Sequence, residues 1–256
     1  MAFSEIKQIR FICDSAYEPE RHERLNTMID TLNIDREKVV FCAPTYKHTI
    51  TPELYRRYVK SPLSSICPWI DGYTRKADLS LILNFCKNLE CIVSEFSEGI
   101  FLILESDVDV CTDNIPYLAD LINKLTLNIG SWDVVNIGGS TIPNAHRMWE
   151  HGYIEDITTP DSVNRLERKF DTRLTDSQLI SYEGAVKLLE VFKTFDDYCV
   201  PIDNYITNFL PKNHWFKYYW SDKYYFYQRT TSGQECSTIQ NDPREKYSNL
   251  TPETVL

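Results

Sequence analysis

The 256-residue chain has no Cys-x-x-Cys pair, no excess of basic charge, no apolar run long enough to span a bilayer, no glycine-rich loop after its first strand-like segment, and no internal repeat or low-complexity tract. Each absence removes a class. A net charge of −10 and a pI near 5.0 argue against a nucleic-acid binder, which needs a basic face for phosphates. Glycans or small polar molecules are the expected partners. The eight cysteines (13, 42, 67, 86, 91, 111, 199 and 236) are dispersed, several inside apolar runs, as expected of buried free thiols in a reducing compartment and not of a disulfide framework or zinc site. The opening M-A-F-S-E-I-K-Q-I-R lacks the apolar region of a signal peptide, and no transmembrane segment is expected. A soluble, cytoplasmic protein follows as the expectation, in which the single sequon at Asn249 carries no glycan.

What is present centres on Ile100 to Asp109, I-F-L-I-L-E-S-D-V-D. Five consecutive apolar residues are expected of a strand covered on both faces. The run ends in Glu105, Asp107 and Asp109, spaced by two, so that extended backbone would point all three the same way. Carboxylates at the carboxyl end of a central strand stand where open α/β sheets bind ligands. Hard divalent cations such as Mg²⁺ or Mn²⁺ prefer that oxygen-rich setting, completed by water and substrate phosphate. Asp107 and Asp109 are the expected metal ligands, with Glu105 supporting them or meeting a ribose. The bland alternative is a strand followed by an acidic, solvated turn.

The rest of the chain alternates strand and helix signals. Gln8 to Cys13 reads as a first strand ending at Asp14, Pro19 to Leu32 as a helix, and Val39 to Ala43 as a second strand. That β-α-β opening implies a parallel pair. Arg21 and Arg24 stand near the end of strand one or pair on the surface with Glu20 and Glu23. Residues 44 to 73 hold four prolines and one short helix around Glu53 to Val59. Thr74 to Phe96 has helical spacing, and Arg75 and Lys76 at its start could meet a diphosphate. Asn114 to Leu127 reads as an amphipathic helix and Trp132 to Ile137 as a buried strand. Gly138 and Gly139 then permit a close backbone approach or a tight turn. Residues 141 to 170 are polar and aperiodic, suited to a loop over the site. Ser181 can cap a helix containing Val186, Leu188, Leu189 and Phe192, and Asp203 follows Pro201 at the head of an apolar segment. Residues 214 to 228 carry ten aromatic rings, His214 included, with a turn expected at Ser221-Asp222. They suit either cross-strand pairs covering a sheet or a platform for sugar faces.

Several of these stretches together resemble glycosyltransferase family 25, the lipopolysaccharide and procollagen galactosyltransferase group. L-I-L-E-S-D-V is similar to its hydrophobic strand with L-E-D-D-v, W-D-V-V-N-I-G-G to its w-D-i-i-x-L-G, the Ser181 to Leu189 segment to its S-x-x-g-A-x-k-L-l, and P-I-D-N-Y-I to its p-x-D-x-x-l. T-T-S-G-Q-E-C-S-T-I-Q is similar to the closing segment. Ser106 stands where the family usually has its first Asp, and T-R-K-A-D-L-S-L replaces a segment that supplies Glu, Cys and His.

The resemblance implies a nucleotide-diphospho-sugar (GT-A) fold: an α/β domain over residues 1–240 with a mostly parallel central sheet flanked by helices. The nucleotide half would be about 1–139, the acceptor half about 140–240, and 241–256 a polar tail. It implies a glycosyltransferase that uses Mn²⁺ or Mg²⁺ and a nucleotide-sugar donor, a UDP-sugar foremost, to modify a glycan acceptor. Asp14, Arg75, Lys76, Glu105, Gly138 and Gly139 would lie on the nucleotide side. Asp203 would deprotonate the acceptor hydroxyl in an inverting displacement, or serve only as a helix cap. With no signal region, such an enzyme would be cytosolic or viral. A sugar-phosphate nucleotidyltransferase and a catalytically decayed glycan-binding protein are the competing expectations. C-D-S-A-Y-E-P after strand one lacks the glycines and basic residues of a nucleotidyltransferase loop.

Overall fold

The computed structural model describes residues 3–61, 75–139, 166–168, 175–194, 197–198, 202, 206, 215–221 and 223–230. The protein is α/β, with helices on both faces of a mixed sheet. The first strand β1 (Ile6–Ile12) is followed by helix α1 (Pro19–Thr31), strand β2 (Val39–Cys42), the short helix α2 (Pro52–Tyr58) and the long helix α3 (Lys76–Glu95). Strand β3 (Ile100–Glu105), strand β4 (Val108–Val110), helix α4 (Ile115–Leu127), strand β5 (Val134–Asn136) and strand β6 (Gly138–Gly139) come next. Strands β7 (Leu166–Arg168) and β8 (Ser177–Ser181), helix α5 (Tyr182–Thr194), and strands β9 (Tyr218–Ser221) and β10 (Phe226–Gln228) complete the order.

Seven strands form the main sheet in the order β2-β1-β3-β8-β5-β9-β7, while β4, β10 and β6 form a small second sheet. The β1–β2, β1–β3 and β5–β9 pairs are parallel, whereas β3–β8, β5–β8 and β7–β9 are antiparallel. The expected mostly parallel sheet is therefore corrected to a mixed one. The physical reason is β8, which enters between β3 and β5 running against both and bonds to both. The aromatic stretch likewise contributes one strand to each sheet, since β9 pairs with β5 and β10 with β4.

Alternation sorts the core. Ile9, Leu102, Leu179, Val135 and Tyr219 lie side by side across five strands and face α1 and α4. Phe101, Ile180, Val134 and Tyr218 face the other way, against α3 and α5. Each fully buried aliphatic or aromatic side chain in these rows contributes about 1.5–3 kcal/mol. Of the aromatic stretch, Phe216, Tyr218, Tyr219, Tyr225 and Phe226 belong to this core, whereas Trp215 and Tyr224 are exposed.

Topology places the ligand edge. From β1 the chain passes through α1 to β2 on one side, then through α3 to β3 on the other, so the order reverses at β1 and β3. Ligands of open α/β sheets bind in the crevice outside the carboxyl ends at such a reversal. The crossovers put the N-termini of α1 and α3 at that edge. Because β8 is antiparallel, its first residues arrive there too. Among the described residues no helix is long and apolar enough to cross a membrane.

Candidate functional site

The apolar strand β3 delivers its acids to this edge, but the extended spacing stops at Glu105. Ser106 and Asp107 form a turn before β4, so the three carboxylates separate onto different partners. Glu105 accepts from the Thr175 hydroxyl at 3.1 Å and from the Gln228 amide at 3.3 Å. Asp107, buried at 8% exposure, accepts from the Thr230 hydroxyl at 2.6 Å. Asp109 accepts from its neighbour Val110 N at 2.8 Å and from Arg229 at 2.8 Å, an ion pair. Tyr227, opposite Asp109 in the β10–β4 pair, has its phenol raised by burial and then by the Asp109 charge.

The second contributor is β8, a strand that no apolar run or alternation in the sequence announces. Asp176, the residue just before it, is completely buried. The Asp176 carbonyl accepts from Glu105 N at 2.9 Å, which ties the start of β8 to the end of β3. Oδ2 of Asp176 accepts from the Ser177 hydroxyl at 3.0 Å, while Oδ1 has no hydrogen-bond partner. Burial, and then the charge of Asp107, push the Asp176 carboxyl up to about 7. No spacing in the sequence marks Asp176, because its neighbours Glu105 and Asp107 lie some seventy residues away in the chain.

Ser106 is held from α1. Its hydroxyl accepts from Arg21 at 2.8 Å and donates to Glu18 at 2.8 Å, while its carbonyl accepts from Arg24 at 2.7 Å. Arg21 also pairs with Glu18 at 2.9 Å. Both arginines thus reach inward onto the acidic turn. Cys13, at the end of β1, is a fully buried thiol pushed up to about 12 by burial and then by Glu18. Cys42, Cys86, Cys91 and Cys111 are also free thiols.

Asp14 follows the same strand and accepts from Ala16 N at 2.8 Å in a tight side-chain turn. Beside it stand three rings. The Tyr17 and Tyr46 centroids are 4.6 Å apart, and Tyr46 stacks on His48 at 5.4 Å with a 14° angle between planes. Tyr17 is 63% exposed. The Tyr46 hydroxyl is buried without a hydrogen-bond partner, and its ionisation is raised by burial and then by Glu18 and Asp14. Tyr46 and His48 lie in the proline-rich stretch 44 to 73, and Tyr17 lies in the turn between β1 and α1.

The remaining expected residues divide. Arg75 sits at the start of α3 and forks onto Asp78 at 2.9 and 3.2 Å, while Asp78 accepts from Arg75 N at 3.1 Å. Arg75 is thus built into the helix cap, and Lys76 beside it is half-buried. Gly138 and Gly139 do mark a close approach, but to protein: a Cβ at 138 would strike the Asp176 carboxylate, and one at 139 would strike Tyr224. Asp203, the segments after 230 and all of the expected loop 141 to 170 except Leu166–Arg168, which form β7, lie outside the described residues. No protein-family model matches the chain, and neither does any curated protein.

A hard dication fits the residues at the edge. Among the described residues no three His, Cys, Asp or Glu side chains converge into a complete cage. A cation that keeps waters and takes up substrate phosphate needs only one or two carboxylates, and the buried Asp176 oxygen without a donor is chemically suited to it.

Proposed function

We propose that the protein is a metal-dependent glycosyltransferase of the GT-A type, taking a sugar from a nucleotide diphosphate sugar and moving it to a hydroxyl of a glycan acceptor. One observation carries the reading: the carboxylates of Asp107, just after β3, and Asp176, just before β8, come together at the carboxyl edge where the sheet order reverses, the edge that also holds Asp14 with the rings of Tyr17 and Tyr46. Rings of this kind offer a stacking face to a nucleobase, and Asp14 beside them accepts hydroxyl hydrogen bonds from a ribose. Arg21 and Arg24 fix Ser106 and with it the turn that presents Asp107. Asp109 acts one step back. Its ion pair holds Arg229, whose backbone N–H donates to the Asp107 carbonyl at 2.9 Å and whose neighbour Thr230 donates to the Asp107 carboxylate.

Bound there, Mn²⁺ or Mg²⁺ would neutralise charge growing on the departing diphosphate, an effect worth several kcal/mol. The acceptor oxygen forms its bond to the anomeric carbon as the bond to the diphosphate breaks. The diphosphate leaves with the bonding electrons, and the hydroxyl proton passes to a base for which Asp203 is the candidate. Pockets that close around such chemistry exclude water and so protect the donor from hydrolysis.

Melting temperature followed during titration with UDP- and GDP-sugars, with and without MnCl₂, tests the reading. A donor at 100 times its Kd adds about 2.7 kcal/mol. No stabilisation by any nucleotide or nucleotide sugar would reject it, and stabilisation by free sugars alone would favour a glycan-binding protein.

A further inference from the structure

We propose that the divalent cation is held across two strands, with Asp176 of the β8 start and Asp107 of the β3 turn as its protein ligands. The inference rests on the donor-binding reading above and assigns to its cation a residue that the acidic run does not contain.

The argument is one of accounting for oxygens. Both oxygens of Glu105 are taken, by Thr175 and Gln228. Both oxygens of Asp109 are taken, by Val110 N and Arg229. Asp176 is different, because its Oδ1 is buried and has no donor. A carboxylate in that position is costly unless a cation or a donor faces it. Among the described residues no basic side chain is hydrogen-bonded to it. Its charged neighbour is another acid, Asp107, close enough for their charges to interact. Two like charges with an oxygen to spare are relieved by a dication, which is the largest favourable charge such a site can take up.

The surroundings favour a fixed ligand over a mobile one. The Asp176 main chain is bonded to Glu105 N, and its Oδ2 to Ser177. The missing side chain at Gly138 lets β6 close against the carboxylate. Thr230 orients the Asp107 carboxylate. Two carboxylates would hold such an ion and leave it able to keep water and take up donor phosphate.

Uptake of Mn²⁺ read by electron paramagnetic resonance, with MnCl₂ alone and with MnCl₂ plus UDP, decides the matter. Wild type and Asp120→Asn, which removes the same charge from the surface of α4, are expected to take up the ion alike. Asp176→Asn keeps shape and hydrogen-bonding capacity but loses the anionic ligand. It is expected to melt no lower than wild type in EDTA and to bind Mn²⁺ more weakly by more than the roughly 10–100-fold that losing an outer partner costs. Uptake retained within twofold in Asp176→Asn would overturn the proposal, as would absence of uptake by wild type under both conditions. Should Asp176→Asn not fold, Asp176→Ser provides the same readout, and failure of both to fold assigns Asp176 a purely structural role. The donor-binding reading fails separately, on the nucleotide-sugar titration, whatever Asp176 does to the metal.

Discussion

A carboxyl group with no exposure and one oxygen lacking a donor is expensive to keep ionised, and Asp176 shows that cost as a pH dependence. Its carboxyl stands at about 7 in the fold against 3.8 in an open chain, so between those values the folded protein holds a proton that the unfolded chain has released. Stability is then lost as pH rises, by about 1.4 kcal/mol for each pH unit between the two, and levels off above 7. Urea unfolding in EDTA from pH 4 to pH 8 should show this fall in wild type and a flatter profile in Asp176→Asn. Gly138→Ala places a methyl group against the same carboxylate. It is expected to cost about 1–3 kcal/mol by overpacking and to weaken Mn²⁺ uptake, measured by melting and by resonance on one preparation. At this scale the sequence was half legible. Glu105 and Asp107 follow an apolar run that advertises them, whereas Asp176, Arg229 and Thr230 reach the site only through strand pairing, which no local spacing encodes.

Among the elements, the sequence hides β4, β6, β7 and β8, and β8 is the most central of them. Ser-Gln-Leu-Ile-Ser offers two apolar residues between polar ones, and yet all five are fully buried because the strand is bonded on both sides. The helix after it was easier to read. Its Ser181 hydroxyl accepts from Gly184 N at 2.9 Å, and Gly184 lets the first turn of α5 press against the backbone of Asp133. Asp133, at 2% exposure, joins three elements. It accepts from Lys187 of α5 at 2.7 and 3.0 Å and from Lys217 N, just before β9, at 2.7 Å, while lying itself at the start of β5. Asp133→Ala strips acceptors from both donors. The cost should be near the lower end of the 3–5 kcal/mol typical of broken buried pairs, since Lys187 is partly exposed and sheds part of it to water. Chemical denaturation would measure this, and a loss below 1 kcal/mol would show the clamp to be unimportant. Helix boundaries elsewhere fell within two residues of the periodicity, as with Lys76–Glu95 and Ile115–Leu127, because each has one apolar stripe and a defined start.

Over the whole molecule, the sheet's centre is where protection should concentrate. The β3 and β8 strands are covered on both faces and paired on both edges, so their amides should exchange last with deuterated solvent. Those of α2 and of the small β4–β10–β6 sheet should exchange earlier. Mass spectrometry of timed digests checks the order, and early exchange in β8 would contradict its central place. Alternating β and α signals made the α/β class readable, but they could not reveal that half of the main-sheet pairings run antiparallel.

The small sheet has a further consequence for how the protein is made. It joins residues 108–110 to 138–139 and 226–228, and the groups steadying Asp107 and Asp109 come from 229 and 230. A ribosome that has released only the first two hundred residues has therefore delivered most of the acids of the crevice but none of their late partners. The nascent chain can assemble its parallel half early, yet the acidic turn after β3 is not steadied until residues 229 and 230 emerge.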